Sequence, residues 1–358
     1  MSASVPTEQV PELAAEPRPT GQRRAGSYGA YLRRRLLQFV VVVFIGINIT
    51  YVITHATPID PVEQTISAAT SFGSTSPEAI ATMREALRAL YGTGDNPVEQ
   101  YVRFWRRVAV GDFGPSLSAF PTPVSVLVGR ALPWTAGLLV VSTAISWVLG
   151  NLLGGLAGYY RNSTTLKLTG ILAMAVHPIP YYIIAFVLLI VFGYLWPVLP
   201  ISDAYDQGMR PGLTLDFVLS MVRHGFLPVL SLVMAGIGGW FIGMRSLVSN
   251  VVTEDYTLYA ELAGVPRGKI LRSYVMRNAI APQITGLAMS LGAIFNGAII
   301  TEQVFGYPGV GSLLVAAVHA GDYSLVIGVT TVSIVAVSAA VLIVDLLHPL
   351  LDPRVRAG

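Results

Sequence analysis

The sequence has no cysteine, which excludes disulfide frameworks, thiolate metal sites and thiol nucleophiles together. Charge is scarce: Asp, Glu, Lys and Arg make up 12% of residues, against roughly 25% in soluble domains. The net charge of +3 is too small to argue for or against nucleic acid by itself, and no nucleic-acid partner is expected. A phosphate-binding P-loop is missing. That motif needs Gly-x-x-x-x-Gly-Lys-Ser/Thr, so that backbone N–H groups cradle phosphates. The nearest stretch, Gly264 to Lys269, is one residue short and is followed by Ile270 where a hydroxyl is required. No His, Asp and Glu cluster has metal-ligand spacing, and no Ser-His-acid arrangement can be argued. Catalytic, metal-binding and cofactor-binding residues are therefore not expected in this chain, and it does not read as an enzyme.

What the chain has is apolar length. Hydrophobic residues make up 53% of it. A bilayer core takes roughly 20 apolar helical residues. Six stretches free of Asp, Glu, Lys and Arg meet that length: Leu36 to Thr54, Trp134 to Tyr159, Leu168 to Trp196, Gly225 to Met244, Ala279 to Thr301 and Leu325 to Val344. The expected fold is an all-α membrane protein with six transmembrane helices. Residues 1–30 differ, with four prolines among Glu, Ala, Thr and Arg and almost no bulky apolar side chain. They read as a disordered tail. They do not read as a signal peptide, because the first apolar run starts late, is long enough to span and lacks a clear cleavage site.

Lys and Arg set the orientation. Threading six spans from an inside N-terminus leaves only Arg84, Arg88, Arg103, Arg106, Arg107, Arg130, Arg210 and Arg223 of the 23 Lys and Arg outside. The remainder lie inside, as the positive-inside rule requires, so both termini are expected in the cytoplasm. The largest outside segment, about 56–133, has room for small helices. One is expected from Ser76 to Tyr91, with Ser76 as its cap and Pro77 and Glu78 opening it.

The threading places a large loop, about 245–278, inside. Thr253 can cap a helix whose first turn holds Glu254 and Asp255, where acids suit the helix dipole. Tyr256, Tyr259, Ala260 and Ala263 then fall near one face. Gly264 and Pro266 break the pattern, and a second, basic helix with Arg267, Lys269, Arg272 and Arg277 leads into the fifth span. An exposed short helix of this kind suits docking into a groove on a partner. The residues alone allow equally a membrane-surface loop with solvated charges.

This loop resembles the EAA loop of ABC importer permeases, in the form of the oligopeptide, dipeptide and nickel group. That form places an Ala, a Gly four residues later, and an Arg-Asn-Ala-x-x-Pro run after it. Here they are Ala260, Gly264, Arg277, Asn278, Ala279 and Pro282. Leu258 and Tyr259 depart from the general pattern of Glu and Ala, as that group commonly does. Other stretches resemble the group in the same order: Tyr31 to Leu36, His55 with Pro58-Ile59-Asp60-Pro61, Gly111-Asp112-Phe113-Gly114 with Ser116, Glu302 to Gly311, and Leu351 to Arg356. The likeness covers about residues 31–356.

The resemblance implies a permease subunit of the bacterial inner membrane, paired with a second, similar permease. Two cytoplasmic ATPases would carry ATP and Mg, and an extracytoplasmic binding protein would deliver solute. The loop residues Thr253, Glu254, Asp255, Tyr256, Tyr259, Ala260, Gly264 and Arg267 become the expected contact with an ATPase. Peptides are the first substrate class implied, with oligosaccharides or nickel as alternatives. A stand-alone carrier or channel is the reading from another class, and the EAA-like loop in a chain without a P-loop disfavours it.

Ionisable residues inside membrane are costly and often functional. His177 lies in His177-Pro178-Ile179-Pro180, where prolines break helical hydrogen bonds and can open backbone to a pathway. It either lines the pathway or is packed and hydrogen-bonded. Tyr181, Ser290 and Asn296 are further pathway candidates. Glu302 either anchors the Phe305 to Gly311 turn or, with Asp112, meets a delivery protein or gate. Asp345 is expected to pair with a nearby base such as Arg354. Gly150, Gly154 and Gly158 recur every four residues, which lets helices approach closely.

Overall fold

The structure is a computed structural model that describes residues 27–56, 76–91, 96–293 and 298–351, with Val62, Glu63, Ile66 and Thr70 between the first two stretches. Every regular element among the described residues is helical. In chain order these are α1 (Ser27–Ala56), α2 (Pro77–Tyr91), α3 (Pro97–Ala109), α4 (Val124–Tyr159), α5 (Thr164–Val176), α6 (Tyr181–Leu189), α7 (Leu215–Val251), α8 (Asp255–Leu262), α9 (Arg277–Ala293), α10 (Ala298–Val304), α11 (Val310–His319) and α12 (Tyr323–Leu351). Wider π turns follow α6, at Ile190–Leu195, and precede α9, at Ile270–Met276, the second entered through a single helical turn at Arg267–Lys269.

Four of these helices, α1, α4, α7 and α12, are long and apolar enough to cross a membrane. The third expected span, Leu168 to Trp196, is not one rod. It is α5 and α6 with the π turn, bent by 102° at the break between them. Pro178 and Pro180 remove two backbone donors there, and Pro180 becomes the N-cap of α6. The expected second and fourth spans are longer than the apolar count, because α4 starts at Val124 and α7 runs from Leu215 to Val251. Arg130 and Arg223 end an uncharged run, but they do not end a helix. The fifth expected span falls on α9 and α10; residues 294–297, and with them Asn296, lie outside the described residues. So do residues 1–26, the Pro58 to Pro61 run and Arg354.

The central contact is between α4 and α7. A Cβ on Gly150 would stand 2.9 Å from the Ile237 carbonyl oxygen, and one on Gly158 would stand 2.9 Å from that of Arg245. The glycine stripe thus brings two backbones together, as small residues do between membrane helices. On the other side of α7, Gly238 receives α5: its missing Cβ would meet the Ala173 carbonyl oxygen at 2.8 Å. α1 packs on α12, with Gly46 against Ile334. The rest of α1 exposes Val40, Val41, Phe44, Ile45, Ile49 and Val52. A continuous surface of this size suits lipid rather than water.

Two buried clusters close the ends of α4. Val124, Val128 and Ala131 pack with Val310, Ala317, Leu325 and Val329 at one end, called here the far end. Met244, Val248, Ala260, Ile270, Val275 and Ala279 pack at the other, the loop end. At the loop end Asp345 pairs with Arg35 at 3.1 Å, while Tyr31 donates to the Asp345 carbonyl at 2.8 Å. The base beside Asp345 among the described residues is therefore Arg35, four residues from Tyr31 and one helical turn along the same face.

Candidate functional site

The loop end is organised around α8. Thr253 does not cap it. Its hydroxyl donates back to the Asn250 carbonyl at 2.7 Å, and the N-cap is Glu254, which makes no side-chain cap hydrogen bond. Thr253 lies in the turn leaving α7, where back-bonding to the preceding turn competes with capping. Asp255 is the acid in the first turn. The C-terminus of α8 is closed by two backbone bonds, Val265 N–H to Ala260 C=O at 3.1 Å and Gly264 N–H to Glu261 C=O at 3.0 Å. This is a Schellman motif, which needs a left-handed residue after the cap. Gly264 supplies it with φ +73°.

Ala260 turns inward. It is 3% exposed and belongs to the buried cluster with Met244, Val248 and Ile270. Its small size therefore seats α8 on the chain's own body, and it is not part of an outward docking face. Thr257, also buried, donates to the Val251 carbonyl at 3.1 Å. Outward, Leu258, Tyr259 and Leu262 are 54%, 75% and 80% exposed. Tyr256 lies at the edge, and the Asn278 amide donates to its hydroxyl at 3.3 Å and to the Tyr274 carbonyl at 2.6 Å. A cavity of about 430 Å³ opens beside α8, lined by Asp255, Tyr256, Tyr259, Ala260, Ala263, Val265 and Tyr274. Tyr256, Tyr259, Ala260 and Ala263, expected near one face, all line this cavity, which lies where the inward and outward sides of α8 meet. Arg267, Lys269, Arg272 and Arg277 are exposed, and the Tyr159 hydroxyl holds the Arg267 carbonyl at 3.2 Å.

The far end is held by two buried acids. Glu302 is fully buried. Its carboxylate accepts from Thr135 Oγ at 2.6 Å, from Gly311 N–H at 2.8 Å and from Ser312 N–H at 3.0 Å. The last two are free donors of the first turn of α11, where a negative charge is favoured. Glu302 is thus an anchor of the Phe305 to Gly311 turn and offers no surface to a delivery protein. Asp322, also fully buried, caps α12 by accepting from Leu325 N–H at 2.9 Å. It gathers Ser116 Oγ at 2.5 Å, Ser118 Oγ at 2.9 Å and Ser118 N–H at 3.0 Å as well. The sequence reading missed Asp322, although Gly321-Asp322 before an apolar run carries an N-cap signal.

Asp112 is different. Its side chain is mostly exposed, and it accepts from Gly114 N–H at 2.8 Å and from Arg107 Nε at 3.3 Å. The Gly114 hydrogen bond, helped by the Arg107 charge, holds its carboxyl below the usual carboxylate range. It stays on the surface of the far end.

Of the pathway candidates, His177, Tyr181 and Ser290 lie among the described residues. His177 ends α5 at the bend, exposed, with its ring against Gly238 and Gly239 of α7. Its ring is packed on α7, and no hydrogen bond to its side chain occurs among the described residues. Tyr181 starts α6 beside the same bend, edge-on to Tyr182. Ser290 turns its hydroxyl back to the Leu287 carbonyl at 2.8 Å. The bend therefore carries His177 and Tyr181, and Ser290 lies on α9.

Residues 150–357 match the family model described as the inner membrane component of binding-protein-dependent transport systems. The probable D,D-dipeptide transport system permease protein DdpB of Escherichia coli is 30% identical over 350 residues, covering 93% of this chain and 99% of that protein. The oligopeptide transport system permease proteins AppB of Bacillus subtilis and OppB of Haemophilus influenzae are each 28% identical, covering 91% of this chain and 99% of each relative. These relatives are named as transport permeases, and each match takes in more than nine tenths of this chain. The chain belongs to the family of binding-protein-dependent transport system inner membrane components.

Proposed function

We propose that this chain is one permease half of an ATP-driven importer of peptides, set in a bacterial inner membrane. The family description ties it to a binding protein, and the relatives are named for oligopeptides and dipeptides. In this reading the chain crosses six times, with both termini and the loop end in the cytoplasm. α9 and α10 form the fifth crossing. A second, similar permease encloses the pathway with it. Two ATPases bind ATP and Mg at the loop ends, and the binding protein delivers solute at the far end.

The observation that carries the proposal is the mounting of α8. One face is fixed to the body by Ala260, Thr257 and the Asn278–Tyr256 bond. The other presents Leu258, Tyr259 and Leu262 outward at the end of a membrane bundle. A short rigid helix with an unpartnered apolar and aromatic face suits a groove on another protein. Movement of that partner would pass through α8 and the Ile270–Met276 turn into α9, and so rock one half against the other.

The test is reconstitution of the chain with its second permease and ATPases in vesicles, with the binding protein outside. Peptide accumulation that requires ATP and the binding protein is expected. Accumulation of an oligosaccharide or nickel in its place would move the substrate class. Uptake without the ATPases would contradict the assignment.

A further inference from the structure

α3 is not explained by transport. It runs Pro97–Ala109, with Glu99 as its one acid and Arg103, Arg106 and Arg107 as its bases. One face is aromatic and lies along α1. Trp105 stacks on Phe44 with ring centres 5.2 Å apart, Phe104 meets Tyr51 at 4.7 Å, and the Tyr101 hydroxyl donates to Asn48 Oδ1 at 2.6 Å. The helix thus lies against the same α1 that packs on α12 along one face and leaves an apolar face open.

The next arc of α3 is also apolar, and no described residue covers it. At about 100° per residue, Val98, Ala109 and Val102 follow Trp105 round the helix, and Arg106 follows Val102. Val98 is 67% exposed and Val102 44%, and Val110, just past the end, is 79% exposed. Arg106 is exposed and has no ion-pair partner among the described residues. An aromatic seat, an uncovered apolar arc and then a charged rim, here Arg106 with Glu99 and Arg103 beyond it, is the order found in helices that lie in a membrane interface. In water the valines would gain nothing, whereas in lipid they continue the surface of α1. A guanidinium at the edge of that arc can reach the headgroup level while its methylenes stay among acyl chains.

We propose that α3 is an interfacial helix that binds anionic phospholipid, with Val98 and Val102 against acyl chains and Arg106 on the headgroup phosphate. The contact would fix α3, and through Tyr101 and Trp105 the outer part of α1, to the bilayer surface.

The absence of native cysteine makes the test direct. Val98→Cys and Val102→Cys, made singly in the full chain with its partners, are labelled with a small fluorophore. They are then reconstituted in phosphatidylcholine vesicles with and without phosphatidylglycerol. Quenching by a nitroxide-bearing lipid should exceed quenching by aqueous iodide at both positions. Phosphatidylglycerol should be retained over phosphatidylcholine in the purified complex, and Arg106→Gln should reduce that preference about five-fold, the effect of roughly one surface charge. Dominant iodide quenching would overturn the proposal by placing α3 in water. Shielding from both quenchers would overturn it by showing a protein, such as the second permease, over the arc. An unchanged lipid preference in Arg106→Gln would overturn the headgroup contact, because its side chain is exposed and its loss leaves the fold intact.

Discussion

The Thr135 hydroxyl donates to the Glu302 carboxylate at 2.6 Å across 167 residues of sequence, and the same oxygen accepts from Val310 N–H at 2.8 Å. One hydroxyl thus links α4 to the first turn of α11, and one acid satisfies two further donors of that turn. Buried donors without partners cost about 1–3 kcal/mol each. Glu302→Ala leaves the Gly311 and Ser312 N–H groups unpaired, so it should destabilise the protein by about 3 kcal/mol or more. Thr135→Val should cost less. Thermal unfolding in detergent checks this, and a Glu302→Ala variant as stable as the parent would contradict the anchoring role.

The glycines of α4 are not equivalent. Gly154 faces the Phe241 backbone at less than side-chain distance, whereas a Cβ at Gly137 would meet nothing within 4 Å. Gly154→Ala should force α4 and α7 apart at a cost of about 1–3 kcal/mol. Gly137→Ala should be neutral, or stabilise by about 0.5–1 kcal/mol through the lost entropy of glycine. Comparison of the two melting curves decides it; equal effects would mean that the stripe does not set the helix spacing.

These contacts mark what the sequence could carry. Uncharged runs identified α1, α4, α7 and α12, because hydrocarbon rewards length and apolarity wherever they occur. Pro178 and Pro180 pointed to a break in the third span, but the 102° bend depends on how α5 settles on Gly238. No local pattern states that. Gly264 was legible because a left-handed turn is a local demand. Ala260 was not, because an eight-residue helix has two usable faces and only the packed body selects one. Thr253 looked like a cap because the alternative, back-bonding into α7, needed α7 to extend to Val251. The partners of Glu302 and Asp322 lie too far along the chain for any spacing rule to find.

Orientation has a clean readout. Leu213, before α7 at the far end, and Leu262, at the loop end, are both fully or mostly exposed. Leu213→Cys should react with an impermeant maleimide in intact cells. Leu262→Cys, in cells that express the permeases without the ATPases, should react only after permeabilisation. The reverse pattern would invert the threading.

Gly264 has open space around it, so only its backbone angle resists substitution. A side chain at φ +73° costs roughly 1–2 kcal/mol. Gly264→Asn should be tolerated, since Asn enters this region more readily, while Gly264→Val should loosen the end of α8 and depress transport. Equal transport by both variants would remove the turn from the mechanism.

The central claim is that the outward face of α8 carries the ATPase contact. Tyr259→Ala with Leu262→Ala removes most of that exposed face and leaves Ala260, Thr257 and the Asn278–Tyr256 bond in place. The measurement is co-purification of the ATPase subunits with this double variant, read beside its melting temperature and peptide uptake. The account predicts an unchanged melting temperature, loss of most ATPase association and loss of uptake. Full association and normal uptake in a folded double variant would contradict it.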